Sequence, residues 1–445
     1  MKRFAAFLAS ALIMSTLAGC SGSGAGPSSS RAAGSSSSPA SAAASASGKA
    51  KTVTWFTSRA QSDAVVATVK QLADAYKAKG NNVTLEIQSA ADRNAYDQKI
   101  RAMASSGTLP QLFDLDPDSF CKELADKGDL VNMDEYLKKT GELDKFIKLS
   151  VNYLRLKDGS LWAIPFEFST EQVWYNVDIF KKYGLKAPGT FDEWLQDCKV
   201  LSNNGITPIA IDGKDSWCLM RYLALVPFRH SGNAFLNDLV SGKAKMTDPQ
   251  GMEALGFVAN IGKYFQPGFT TTDYGTAEEL FLNGKAAMYD MGTWVLQDYI
   301  KANKEKGMNL DYFYIPMTWG GKDATAANDY WAFGGIGMAA NKQKFDAATE
   351  GLLTYLVSTY SKTYAESQHF APQNVQIDTS SAHPYYIKLK NDIAKIGDTA
   401  CSPWDVSLPT NVDTVIADNL SSVALGQMTP KQCADLIDQA LASAS

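Results

Sequence analysis

From residue 52 onward, apolar and polar positions alternate between short strand-like runs and longer helical stretches. The β-branched and aromatic run 52–56 predicts a strand, and Val65, Val66, Val69, Leu72, Ala73 and Tyr76 then recur at helical spacing before Gly80. Residues 83–87 predict a second strand, a polar-faced helix follows, and 112–115 predict a third strand. Asp158-Gly159 marks a tight turn between two apolar runs. Thr190-Phe191-Asp192-Glu193 and Thr429-Pro430-Lys431-Gln432 each fit a capping box, the second opening a closing helix that should pack through Leu436, Ile437, Ala440 and Leu441. Strands alternating with helices predict an α/β fold with a parallel or mixed sheet. No internal repeat interrupts this pattern.

The first fifty residues follow a different pattern. Lys2 and Arg3 precede an apolar run over 4–17, which is shorter than the roughly 20 residues a membrane-spanning helix needs. Small residues then lead into Cys20, the order of a charged, apolar and cleavage region. Leu17-Ala18-Gly19-Cys20 resembles a bacterial lipobox, so 1–19 are expected to be a lipoprotein signal peptide and Cys20 the lipidated residue. Residues 20–50 are nearly all Ser, Ala and Gly and predict a disordered leash holding the folded part at the outer face of the cell membrane.

About 395 residues remain, too many for one core, so two lobes are expected. The formal charge is −5 without basic clusters, which argues against nucleic acid as a partner. Of six cysteines, five would remain beside Cys20: Cys121, Cys198, Cys218, Cys401 and Cys433. Their odd number and wide spacing leave any pairing open. Catalytic patterns are weak. His230, His369 and His383 have no metal-ligand spacing, no nucleophile elbow or phosphate loop is present, and Asp114, Asp116 and Asp118 lack the rest of a calcium loop. No metal, cofactor or enzymatic activity is expected.

Aromatic residues give the stronger signal. Nine tryptophans and nineteen tyrosines are present, and Trp55, Trp217, Trp294 and Trp331 lie near turn residues or strand ends. Flat rings there suit stacking on the C–H faces of sugars, with nearby carboxylates and amides binding hydroxyls. Core packing is the competing role for each ring.

These residues sit among landmarks that together resemble the solute-binding proteins of bacterial carbohydrate ABC importers, the maltodextrin-binding type. In order they are Leu112-Phe113-Asp114-Leu115-Asp116, Gly128-Asp129-Leu130-Val131, Leu161-Trp162-Ala163-Ile164-Pro165, and Val173 through Phe180. Thr190-Phe191-Asp192-Glu193-Trp194, the run Phe281 through Trp294, and Gly334-Gly335-Ile336-Gly337 complete them. The resemblance implies a two-lobed fold with three crossovers near Pro165, Pro316 and Val357. Lobe one would hold 51–164 and 316–356, and lobe two 167–313 and 358–445. It implies a monomer that captures a sugar, expected to be an oligosaccharide, in the cleft and delivers it to the transmembrane subunits of an ABC permease.

Residue by residue, the resemblance places ligand contacts at Asp116, Trp294 and Trp331, at Trp217 and Arg221, at Glu167 past the first crossover, and at Trp55, Arg59 and Asp63 near the first strand's exit. Asn176 and Trp404 are weaker assignments. A secreted glycoside hydrolase, or an ABC receptor for a non-sugar solute, is the alternative.

Overall fold

The computed structural model describes residues 50–90, 92–318, 323–396 and 400–444. The expected signal peptide, Cys20 and nearly all of the leash lie outside these residues.

Ten strands among the described residues form two sheets. The first contains β1 (Lys51–Thr57), β2 (Val83–Ser89), β3 (Leu112–Leu115), β4 (Ala163–Ile164) and β10 (Gly337–Ala340), in the order β2-β1-β3-β10-β4. The second contains β5 (Ser169–Asn176), β6 (Thr207–Ala210), β7 (Ala286–Gly292) and β8 (Leu310–Phe313), ordered β6-β7-β5-β8, with β9 (Ala332–Phe333) also on β5. β1 pairs in parallel with β2 and β3, whereas β10 runs antiparallel to β3 and β4. The second sheet is mixed as well, with β6 parallel to β7 and β5 antiparallel to β7 and β8.

Each sheet has its own apolar core. One is built on Val53, Phe56, Leu112 and Phe113 of the first sheet, the other on Val173, Trp174, Met288 and Tyr289 of the second. The predicted helix is Ala64–Ala78, with Asp63 capping its N-terminus by accepting from Val65 N at 2.7 Å. Both capping boxes form, on the helices Phe191–Asn203 and Pro430–Ser443. In the closing helix Ile437 and Ala440 are buried, but Leu436 faces solvent because it lies off the stripe that packs inward. Asp158-Gly159 is a turn, with Gly159 at φ 83°, where a Cβ would be strained.

The chain first passes between sheets from β4 to β5, across 165–168. The second and third passages lie downstream of the expected positions. Arg229 holds the segment after Pro316 on the second lobe. Its guanidinium donates to the carbonyls of Ile315 (2.6 Å), Pro316 (3.2 Å) and Ala326 (2.6 Å) and to Thr325 Oγ1 (3.0 Å). Tyr330, Trp331 and Phe333 then join the second core, so the chain returns at 334–336 and not at Pro316. The helix Ala347–Glu366 runs on past Val357, burying Tyr360, Tyr364 and Ala365 against the first core. The last passage accordingly falls between Ala371 of the first core and Tyr386 of the second.

Cys121, Cys198, Cys218, Cys401 and Cys433 are buried free thiols. No helix among the described residues is long and apolar enough to cross a membrane.

Candidate functional site

A cavity of about 380 Å³ takes side chains from both lobes and from the passages between them. The first lobe contributes Arg93 at the start of the helix Arg93–Ser105, Asp116 just past β3, and Tyr153 at the end of the helix Lys148–Tyr153. The passages contribute Glu167, Gly335 and Ile336. From the second lobe, Trp217 and Arg221 stand one turn apart on the helix Ser216–Ser231, so both project from the same face. Trp294 follows β7, Phe333 lies in β9, and Asp405 and Asp413 come from two short-spaced helices near the C-terminus. This is the usual place for a ligand in an open α/β fold, beyond the carboxyl ends of strands such as β3 and β7.

Carboxylates outnumber guanidinium groups around this space, and ion pairs organise most of them. Arg221 Nε donates to Glu171 Oε2 at 2.7 Å and its Nη1 to Asp405 Oδ1 at 2.6 Å. Arg93 bridges Asp116 and Asp97. Arg59 Nη2 donates to Glu167 Oε1 at 2.6 Å and to the Ile336 carbonyl at 3.2 Å, tying the end of the first strand to two of the passages. Two carboxylate oxygens, Glu171 Oε1 and Asp413 Oδ1, are buried without a hydrogen-bond partner. Burial lifts the Asp413 carboxyl to about 7, and the neighbouring Asp405, Asp118 and Asp97 push it the same way. Burial also raises Glu171, against the pull of Arg221.

The aromatic wall is continuous on the second lobe. Trp217 and Trp294 meet edge to face with ring centres 6.2 Å apart, and Trp294 lies 6.3 Å from Phe333. Trp294 Nε1 donates to the Tyr274 hydroxyl at 3.1 Å, which fixes the indole plane. The Arg221 guanidinium lies 5.2 Å from the Trp217 ring and 5.0 Å from that of Trp331. Apolar faces backed by anchored polar groups are the general composition of a small-molecule pocket.

Of the residues expected from the sequence, Asp116, Glu167, Trp217, Arg221 and Trp294 line this cavity. Trp55 does not. It is a core residue at 1% exposure, with Nε1 donating to Asp114 Oδ1 at 2.9 Å. Trp331 is likewise buried at 1% and supports Arg221 from within the core. Arg59 stands behind Glu167 and Asp63 is the helix cap, 3.8 Å from Arg59. Asn176 caps the helix Val177–Lys182, and Trp404 is buried against Phe235. Arg93, Tyr153, Glu171, Phe333, Asp405 and Asp413 were not expected. Asp405 lies next to Trp404, the only hint to that region in the sequence. Two contacts also join the lobes, Lys214 Nζ to Asp92 Oδ2 at 3.2 Å and the hydroxyls of Ser119 and Thr410 to each other.

Among curated proteins, a probable sugar-binding periplasmic protein of Rhizobium meliloti is 27% identical over 60% of this chain and 63% of its own length. The multiple sugar-binding protein of Streptococcus mutans is 24% identical over 55% and 58%. The chain thus matches about three fifths of the length of such relatives. Among solved structures, a chitin oligosaccharide binding protein superposes with TM-score 0.77 at 20% identity, covering 89% of this chain and 99% of the other. A Bacillus licheniformis sugar transporter in complex with stachyose gives 0.69 at 18% identity, covering 88% and 100%. These likenesses establish the two-lobed fold of periplasmic binding proteins. The profile of the bacterial extracellular solute-binding proteins matches residues 60–359, and with that extent of agreement the chain belongs to this family.

Proposed function

We propose that this protein is the sugar receptor of an ABC importer. It captures an oligosaccharide in the cavity between the lobes and presents it to the transmembrane subunits of the permease. The observation behind this reading is the pairing of Trp217 and Trp294 with Asp116, Glu167 and Arg221 in one space shared by both lobes. Indole faces stack on sugar C–H faces, and charged groups already held by partners accept or donate to hydroxyls without further ordering. A ligand that touches both lobes binds the shut form more tightly than the open one and so shifts the population toward it.

Lipidation at Cys20 would hold the receptor, as a monomer, at the outer face of the cell membrane within reach of the permease. Arg59, Arg93 and Arg221 hold Glu167, Asp116 and Asp405 in place, which presents these carboxylates as fixed hydrogen-bond acceptors. Titration calorimetry against malto-, xylo-, galacto- and chito-oligosaccharides tests the reading. Saturable heat with at least one is expected, without release of reducing ends. Heat with none, or release of reducing ends, would overturn it.

A further inference from the structure

We infer that Gly292 and Tyr274, neither of which lines the cavity, set its affinity for glycan by fixing where the Trp294 indole stands. They are positioning residues that act through Trp294. This rests on the sugar-receptor reading, because it takes Trp294 as a surface on which sugar stacks.

Gly292 closes β7, two residues before Trp294. A Cβ placed on it would fall well inside contact distance of Cζ3, Cε3 and Cη2 of Trp294, the three atoms nearest to it. The benzo edge of the indole therefore fills the space in which a side chain at 292 would stand. Gly292 has φ −84° and ψ −179°, extended backbone open to any residue. The backbone does not call for glycine here; the ring does. At the pyrrole edge, Nε1 donates to the Tyr274 hydroxyl at 3.1 Å. Tyr274 opens the helix Tyr274–Leu282, whose first turn is anchored by Asp273 accepting from Thr276 N at 2.9 Å. Both halves of the indole are thus restrained, by groups on two different elements of the second lobe.

Aromatic stacking depends on the offset and tilt of the ring as well as on its area. A ring ordered before the ligand arrives also spares the complex that ordering cost. A methyl group at 292 would displace the indole from its place against β7. Loss of the Tyr274 hydroxyl would leave the ring its contacts but release its tilt.

The test is calorimetry on Gly292→Ala and Tyr274→Phe, alone and each combined with Trp294→Ala. The probe is whichever malto-, xylo-, galacto- or chito-oligosaccharide binds the unaltered protein most tightly. Gly292→Ala is expected to weaken binding about tenfold, and Tyr274→Phe about two- to tenfold, as for loss of one neutral hydrogen bond. Neither should weaken binding further once Trp294 is alanine, because the group they position is gone. A ligand-free crystal structure of Gly292→Ala should show the indole displaced and β7 unmoved. Unchanged affinity in either single variant, an equal loss with and without Trp294, or an unmoved indole overturns this inference and leaves the sugar-receptor reading standing. Absence of binding to every glycan overturns both.

Discussion

Arg59 and Glu167 form a short ion pair, 2.6 Å from Nη2 to Oε1, between the exit of the first strand and the first passage joining the lobes. Gly335, in the second passage, lies directly against this pair. It has φ 62°, and a Cβ there would fall well inside contact distance of the Glu167 carboxylate. Gly335→Ala should therefore be strained in its backbone, by about 1–2 kcal/mol, and should displace Glu167 as well. We expect a lower melting temperature together with weaker ligand binding. Unchanged melting and affinity would remove the passages from the account.

The tryptophans divide by burial, and their substitutions should divide likewise. Trp294→Ala is expected to weaken glycan binding about ten- to a hundredfold, about 1.4–2.8 kcal/mol, with a small change in melting. Trp331→Ala removes a fully buried ring and should cost about 3–5 kcal/mol of stability. Chemical denaturation and calorimetry on both variants check this. The reverse pattern would place the binding surface elsewhere.

Much of the fold was legible because the signals were local. The strand at 112–115, the helix after Asp63 and both capping boxes need only neighbouring residues. The passages were displaced because distant contacts decide them. Arg229 gathers the carbonyls of Ile315, Pro316 and Ala326, and nothing near Pro316 in the sequence announces this. Trp217 and Trp294, singled out beside turn residues, and Arg221, implied by the resemblance, line the candidate cavity. Trp55 and Trp331 were misplaced because a ring beside a turn can lie on either side of a strand. Glu171 was overlooked within a β5 sequence that reads as ordinary strand, and Asp405 and Asp413 reach the cavity from near the end of the chain.

Stability should vary with pH through the buried carboxyls. Asp413, Asp290 and Glu278 are each raised by burial to about 7. Between their unfolded values near 4 and about 7, the folded state binds protons that the unfolded state has lost. Stability therefore falls as pH rises through this window. His369 acts the opposite way, since burial lowers it to about 4 and its protonation below its ordinary value favours unfolding. With the raised carboxyls, Asp212 among them at about 7, outnumbering the lowered His369, the ligand-free protein should melt higher at pH 6 than at pH 8. Asp413→Asn should flatten that slope, and a slope that is unchanged would contradict the assignment for Asp413.

Lys214 and Asp92 join the lobes at 3.2 Å, but both are about half exposed. Such a pair contributes about 0.2–1 kcal/mol and is screened by salt. Lys214→Ala should leave melting nearly unchanged and speed ligand release about two- to fivefold at low ionic strength, with the difference vanishing in high salt. Stopped-flow release measurements resolve this. A salt-independent effect would rule out a contact that favours the shut form.

A crystal structure grown with the tightest-binding glycan measures the central claim most directly. A sugar ring is expected stacked on Trp217 or Trp294, with its polar groups within hydrogen-bond reach of Asp116 or Glu167 and contacts to both lobes. A glycan bound outside this cavity, or touching one lobe alone, would contradict it.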